Sequence, residues 1–300
     1  MDPDTVAKIA QMASVLEVSG HPKPGNVHRT QDFEDMVFED FLLSGIAIGN
    51  TMKKAAERGL KYGNDTPQEI KLGELVKEAV IETNKWVQNN TNLGIIMLLI
   101  PLAAAAGCVK DFKDLRVKSR EIMSSTTPQD AVNLYEAINI ADAGGMGERE
   151  DLDVGSEQAK QELLDKGINM FQVLDISASW DSLAFELTQN YPVSFDAGYP
   201  TYKSLRKPQG INKATVQTFL TILSGNLDTL ISRKFNNSVS EMVTADAKII
   251  LDRGGILTPE GRSLLIKFDQ DLINHKYNPG TTADLTASSL MIALLEEHWE

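Results

Sequence analysis

The amino-acid sequence predicts an all-α protein, folded as a single multihelical domain over residues 1–300. Apolar residues recur at i, i+3, i+4 spacing along nearly the whole chain, the period of a helix with one buried face. Alternating apolar and polar runs bounded by turn residues are hard to find, and the short apolar pieces around Val193 are the only doubtful ones. No repeat and no linker rich in Gly, Ser or Pro divides the chain.

The elements follow in order. Val6, Ile9, Met12, Ala13 and Leu16 form a first apolar stripe, and Gly20 is placed to end that helix. Residues 32–59 read as one long helix, with Phe38, Phe41, Leu42, Ile46 and Ile48 apolar and basic residues near its end. Helices are expected from 67 or 68 to 89, over 93–107, and over 128–143, where Pro128 suits a first helical position. Further helices are expected at 157–175, 178–189, 211–224, 226–235, 239–252, 258–276 and 281–299. The region 144–160 is the most loop-like and the most acidic, and reads as a flexible segment or lid.

Bulk composition narrows the function. Apolar residues make up 42% and charged residues 24% of the chain, which suits a globular protein. A net charge of −13 disfavours nucleic acid as a partner, because phosphate backbones need clustered Lys and Arg. Any phosphate must therefore be met locally, by a few basic groups or a metal ion. Cys108 is the sole cysteine, so neither an intrachain disulfide nor a cysteine zinc site can form. The N-terminus lacks the basic and apolar regions of a secretory signal. The apolar stretch 93–107 is shorter than the roughly 20 residues of a bilayer span. The expected location is cytoplasmic, with no membrane partner, and a homodimer is left open.

Four segments concentrate polar chemistry. In the first, Pro22 and Pro24 stiffen the backbone around Lys23, Gly25 permits a sharp turn or close approach, and His28 and Arg29 add donors. Behind them Asp32, Asp35 and Glu39 would share one helical face. Carboxylates that close repel unless a cation lies between them, so magnesium is one reading. Acids complementing a helix N-terminus are the other. In the second segment, Asn90 and Thr91 precede a small-residue helix and suit either a ligand or a cap. In the third, Asp228 and Arg233 are polar members of an apolar helix, and Asp228 suits a base, a metal ligand or a dipole-matched acid. In the fourth, Gly280, Thr281 and Thr282 open a helix whose first turn suits phosphate, while Asp284 there would need a metal as mediator.

Together these segments resemble the ATP:dephospho-CoA triphosphoribosyltransferase (triphosphoribosyl-dephospho-CoA synthase) family. The resemblance runs through Pro22, Lys23, Pro24, Gly25, Val27, Arg29, Asp35 and Met36; Asn90, Thr91 and Gly94; Asp228, Thr229, Ile231 and Arg233; and Pro279 to Ala287. The four motifs occur in family order across residues 22–287. The chain departs from the pattern at His28, where the family usually has Asp, and at Phe33, Asn92 and Leu93. A further family segment is only loosely echoed by Gly145, Met146, Gly147 and Glu148. The chain therefore resembles a divergent member.

The resemblance implies an enzyme, a pentosyltransferase. The triphosphoribosyl group of ATP would pass to a hydroxyl of 3′-dephospho-CoA or a related acceptor, with adenine released, in the biosynthesis of a prosthetic group. Lys23, Gly25, Arg29, Asn90, Thr91, Arg233, Gly280, Thr281 and Thr282 would bind ATP and its phosphates. Asp35, Asp284 and Asp32 would hold Mg²⁺. Asp228, or alternatively His28, would take the acceptor proton. Lys23→Ala and Asp35→Asn would each abolish most activity in a folded protein. Two other readings stay open: a magnesium-dependent N-glycosidic hydrolase, and a non-catalytic ATP-binding protein.

Overall fold

The computed structural model describes residues 1–142 and 156–299. Among these residues the chain is all-α, without a strand, and an isolated antiparallel bridge joins His28 to Gln31. The helices in chain order are α1 (Pro3–Val18), α2 (Phe38–Ala47), α3 (Gly49–Tyr62), α4 (Leu72–Asn84), α5 (Leu93–Cys108), α6 (Leu115–Ser124), α7 (Pro128–Ala141), α8 (Glu157–Asp165), α9 (Met170–Ser177), α10 (Ser182–Thr188), α11 (Tyr199–Gln209), α12 (Ile211–Gly225), α13 (Thr229–Lys234), α14 (Asn237–Asp252), α15 (Pro259–Asn274) and α16 (Gly280–Glu297). No helix among the described residues is long and apolar enough to cross a membrane.

The chain divides into two compact units. One comprises Met1–Met12, Leu43–Tyr191 and Leu294–Glu300; the other comprises Ala13–Leu42 and Pro192–Ala293. In the first unit α5 is the central element, buried from Leu93 to Gly107. It crosses α3 at a distance set by small residues. A Cβ on Gly59 would overlap the backbone of Ala104, and one on Gly107 would overlap the backbone of Ala56. Pro101 removes one donor from the helix ladder of α5, and the buried Tyr191 hydroxyl donates to the nearby Leu98 carbonyl at 2.9 Å. In the second unit α12 packs on α11 and α14. Its core joins Val216, Phe219, Leu220 and Leu223 to Val243, Ala247, Leu265, Phe268 and Leu272.

Several expected boundaries differ, each for a local reason. Residues 32–59 do not form one helix. The Asp32 carboxylate accepts the Phe38 N–H at 2.8 Å and the Asp40 carboxylate accepts the Val37 N–H at 3.0 Å, so the helix starts only there. The helix expected over 157–175 is two: Gly167 at φ +65° ends one turn, and Asn169 restarts the chain with a reciprocal cap on Gln172. The pieces near Val193 are helical, a wide turn over Ser194–Gly198 leading into α11. Two helices, α6 and α11, were not expected; α6 is short and highly charged, and α11 carries Pro200 and Pro208. Of the 144–160 region, 157–160 belong to α8, while Gly145, Met146, Gly147 and Glu148 lie outside the described residues.

Candidate active site

Three of the four segments meet in the second unit. The first is a buried turn. Gly25 adopts φ +68°, and its N–H donates to Asp269 Oδ1 at 2.9 Å. A Cβ there would lie 2.7 Å from the Cβ of Leu272, so this position requires glycine both for its dihedral and for its space. Asn26 donates through Nδ2 to Asn278 Oδ1 at 2.8 Å, tying the turn to the segment that opens α16.

Lys23 does not point to solvent. It is 0% exposed, and its Nζ donates to Glu17 Oε1 at 2.5 Å and to the Glu17 carbonyl at 3.3 Å; Glu17 is 2% exposed. Burial pulls the Lys23 ammonium pKa down, while the charges of Glu17, Asp284 and Asp269 oppose that pull. Burial likewise pushes the Glu17 carboxyl up against the attraction of Lys23. A buried pair of this kind holds together because each ion without its partner would face the full desolvation penalty. Lys23 is thus the counter-charge of the buried Glu17 carboxylate.

His28 is 2% exposed and lies 3.0 Å through Nε2 from Asp269 Oδ2. Its Nδ1 faces Thr30, whose N–H donates at 3.4 Å and whose hydroxyl lies at 3.2 Å. The same hydroxyl lies 3.1 Å from His21 Nδ1. His21 has its pKa lowered, first by burial and then by its neighbours His28 and Arg29. Arg29 is exposed, and its guanidinium donates to the Ser19 carbonyl just past α1 and to Asn212 Oδ1. Asn212 in turn donates to the His21 carbonyl at 2.7 Å.

Asp228 is 1% exposed and joins two helix starts. Oδ1 accepts the N–H groups of Leu230 and Ile231 in α13 at 3.0 and 3.1 Å. Oδ2 accepts the N–H and hydroxyl of Thr282 in α16 at 2.7 and 2.8 Å. Burial raises the Asp228 pKa, with these four donors opposing it. Thr281 accepts the Leu230 N–H at 3.1 Å, and its hydroxyl lies 3.2 Å from that of Thr229. Both Thr281 and Thr282 are buried, so their hydroxyls serve the junction between α13 and α16. Gly280 sits where a Cβ would meet Leu230 Cδ2 at 2.6 Å. Arg233 is half-buried in the last turn of α13.

The carboxylates are arranged differently from the helical-face expectation. Asp32 and Asp35 precede α2 and do not share a helical face with Glu39. Asp32 is exposed and engaged as a cap on Phe38, Asp35 is exposed, and Asp284 is half-buried in the first turn of α16. Among the described residues no group of three or more His, Cys, Asp or Glu could hold a metal ion by itself. Asn90 and Thr91 belong to the first unit. There Asn90 Oδ1 accepts the Leu93 N–H at 3.2 Å, and Thr91 Oγ1 lies 2.5 Å from Ser44 Oγ.

Sequence reasoning did not single out Glu17, Asp269, Asn26, Asn212, Thr30 or Asn278. Two of them carry a readable signal. Glu17 is an acid in the last turn of α1, where the helix dipole disfavours it unless a cation is near. Asp269 occupies the apolar stripe of α15 with Leu265, Phe268 and Leu272, where an acid requires partners.

A family model described as ATP:dephospho-CoA triphosphoribosyl transferase matches residues 3–300 of the chain. Among solved structures, the crystal structure described as "putative triphosphoribosyl-dephospho-coA synthase" from Archaeoglobus fulgidus shares the fold, with a TM-score of 0.67. That match has 24% sequence identity and covers 86% of this chain and 100% of the other.

Proposed function

Because the chain belongs to the ATP:dephospho-CoA triphosphoribosyl transferase family and is an enzyme of that class, we propose that it moves the triphosphoribosyl group of ATP to a hydroxyl of dephospho-CoA or a related acceptor. Adenine is the leaving group. The observation that carries this reading is the family match along residues 3–300. The geometry adds that the segments at 22–29, 228–233 and 278–284, distant in sequence, meet in one unit through Asn26–Asn278 and Asp228–Thr282.

Breaking the bond between C1′ and adenine builds positive charge on the ribose, as in other glycosyl transfers. The protein must hold the triphosphate, orient the sugar and accept one proton. Arg29 and Arg233 are the basic groups we assign to the triphosphate. Lys23 acts one step removed, anchoring the turn at 22–29 to Glu17 in the last turn of α1. Magnesium, when bound, supplies positive charge that offsets the phosphates. Magnesium commonly takes one or two carboxylates and completes its shell with phosphate oxygens and water, so a three-ligand cage is not needed. Asp284 and Asp35 are the carboxylates we assign to it. Of the two groups expected to take the acceptor proton, Asp228 has both oxygens committed to the helix junction. His28 is therefore the base we assign, and Asp228 a positioning residue.

Incubation with ATP, Mg²⁺ and dephospho-CoA, followed by chromatography and mass spectrometry, should release adenine together with an acceptor heavier by one triphosphoribosyl group. Adenine with free ribose triphosphate would make the protein a hydrolase. Nucleotide binding with no adenine would make it a binding protein.

A further inference from the structure

Resting on that reading, we propose that Thr30, His28 and Asp269 form a proton relay, with the exposed Thr30 hydroxyl as the end that meets the acceptor. The ring orientation follows from donors and acceptors alone. A backbone N–H can only donate, and that of Thr30 points at His28 Nδ1 at 3.4 Å. Nδ1 is therefore an acceptor, and the neutral imidazole carries its proton on Nε2. Nε2 in turn faces Asp269 Oδ2 at 3.0 Å, and a carboxylate can only accept. Asp269 is held by its other oxygen, which takes the Gly25 N–H at 2.9 Å. The Thr30 hydroxyl, 3.2 Å from Nδ1, then donates to the imidazole. His21 Nδ1, 3.1 Å from the same hydroxyl, completes it as a donor.

A hydroxyl on a base, and the base on a carboxylate, is the arrangement that activates an oxygen. His28 is 2% exposed, so it cannot easily meet a substrate itself. Thr30 is exposed and can. In the transfer the acceptor hydroxyl gives its proton to Thr30 Oγ1 as Thr30 gives its own to His28 Nδ1. The acceptor oxygen bonds to C1′, and the electron pair of the C1′–N bond leaves with adenine. The imidazolium, stabilised by Asp269, returns its proton to solvent, and adenine is protonated there. Nothing is oxidised or reduced.

The test uses the full chain and three variants. Thr30→Val keeps the shape and removes the hydroxyl. It should lower turnover in adenine release by about 100-fold, the scale of general base catalysis, while the Kd for Mg-ATP stays within about twofold of the parent. Thr30→Ser should recover most of the turnover. Asp269→Asn should lower turnover similarly, and it should shift the His28 ring. That ring is read independently of activity by ¹⁵N NMR of histidine-labelled protein, assigned with His28→Asn. Nδ1 should appear unprotonated and Nε2 protonated, and Thr30→Val should move the Nδ1 resonance. Turnover of Thr30→Val within about threefold of the parent would overturn the relay, as would a proton on Nδ1. If the unaltered protein released no adenine with any acceptor, the transferase reading would fail, and the ring tautomer and its response to Thr30→Val would still decide the relay.

Discussion

Replacing Asp228 by alanine is expected to lower stability by about 3–5 kcal/mol. The carboxylate caps two helices, each cap being worth about 1 kcal/mol. Its loss also strands the buried N–H groups of Ile231 and Thr282, at about 1–3 kcal/mol for each group left unpaired, whereas the Leu230 N–H keeps Thr281 as acceptor. Urea unfolding at neutral pH measures the effect, and a loss under about 1 kcal/mol would contradict the capping role. The pH dependence has a definite sign. Burial raises the folded-state pKa of Asp228 above the ordinary 3.8. The stability linked to its proton is then fully present below the unfolded pKa and is lost as pH rises through the folded one. Asp228→Asn cannot titrate, so the advantage of the parent over this variant should widen as pH falls toward 4.

Lys23→Ala is expected to destabilise rather than merely inactivate. Removing the ammonium leaves Glu17 as a buried, unpaired carboxylate, and breaking such a pair costs about 3–5 kcal/mol. This replaces the expectation of a folded, inactive Lys23→Ala protein, which took Lys23 as a phosphate ligand. The double variant Lys23→Met with Glu17→Leu removes both charges and should regain most of the lost stability. A double-mutant cycle by chemical denaturation measures the coupling. Additive effects of the two single changes would show that the 2.5 Å contact carries no coupling energy.

The all-α class was legible because helix period and apolar stripes are local properties. The stretch 93–107 shows this best: its length and apolar run coincide with α5, although Thr91 bonds Ser44 rather than capping the helix. Residues 32–37 were misread because Asp32, Asp35 and Glu39 happen to have helical spacing, while the Asp32 carboxylate is spent on the Phe38 N–H. The turn at 22–29 was legible as special from its prolines, glycine and bases. Its use was not, because the partners of Lys23 and His28 are Glu17 and Asp269, and the latter lies 241 positions away from His28. Periodicity says nothing about which distant residue completes a buried polar group. Asp228 stood out as a polar member of an apolar helix, but the donors that occupy its second oxygen belong to Thr282, 54 residues later in the chain.

The close crossing of α3 and α5 has a consequence for the time scale of solvent access. Gly59 and Gly107 bring the two backbones together with no side chain between them, and α5 is buried from Leu93 to Gly107. No rotamer change can expose that backbone; only separation of the helices around it can. The amides in the middle of α5 are therefore expected to be among the slowest of their unit to exchange with water, and their exchange rate gauges the free energy of separating those helices.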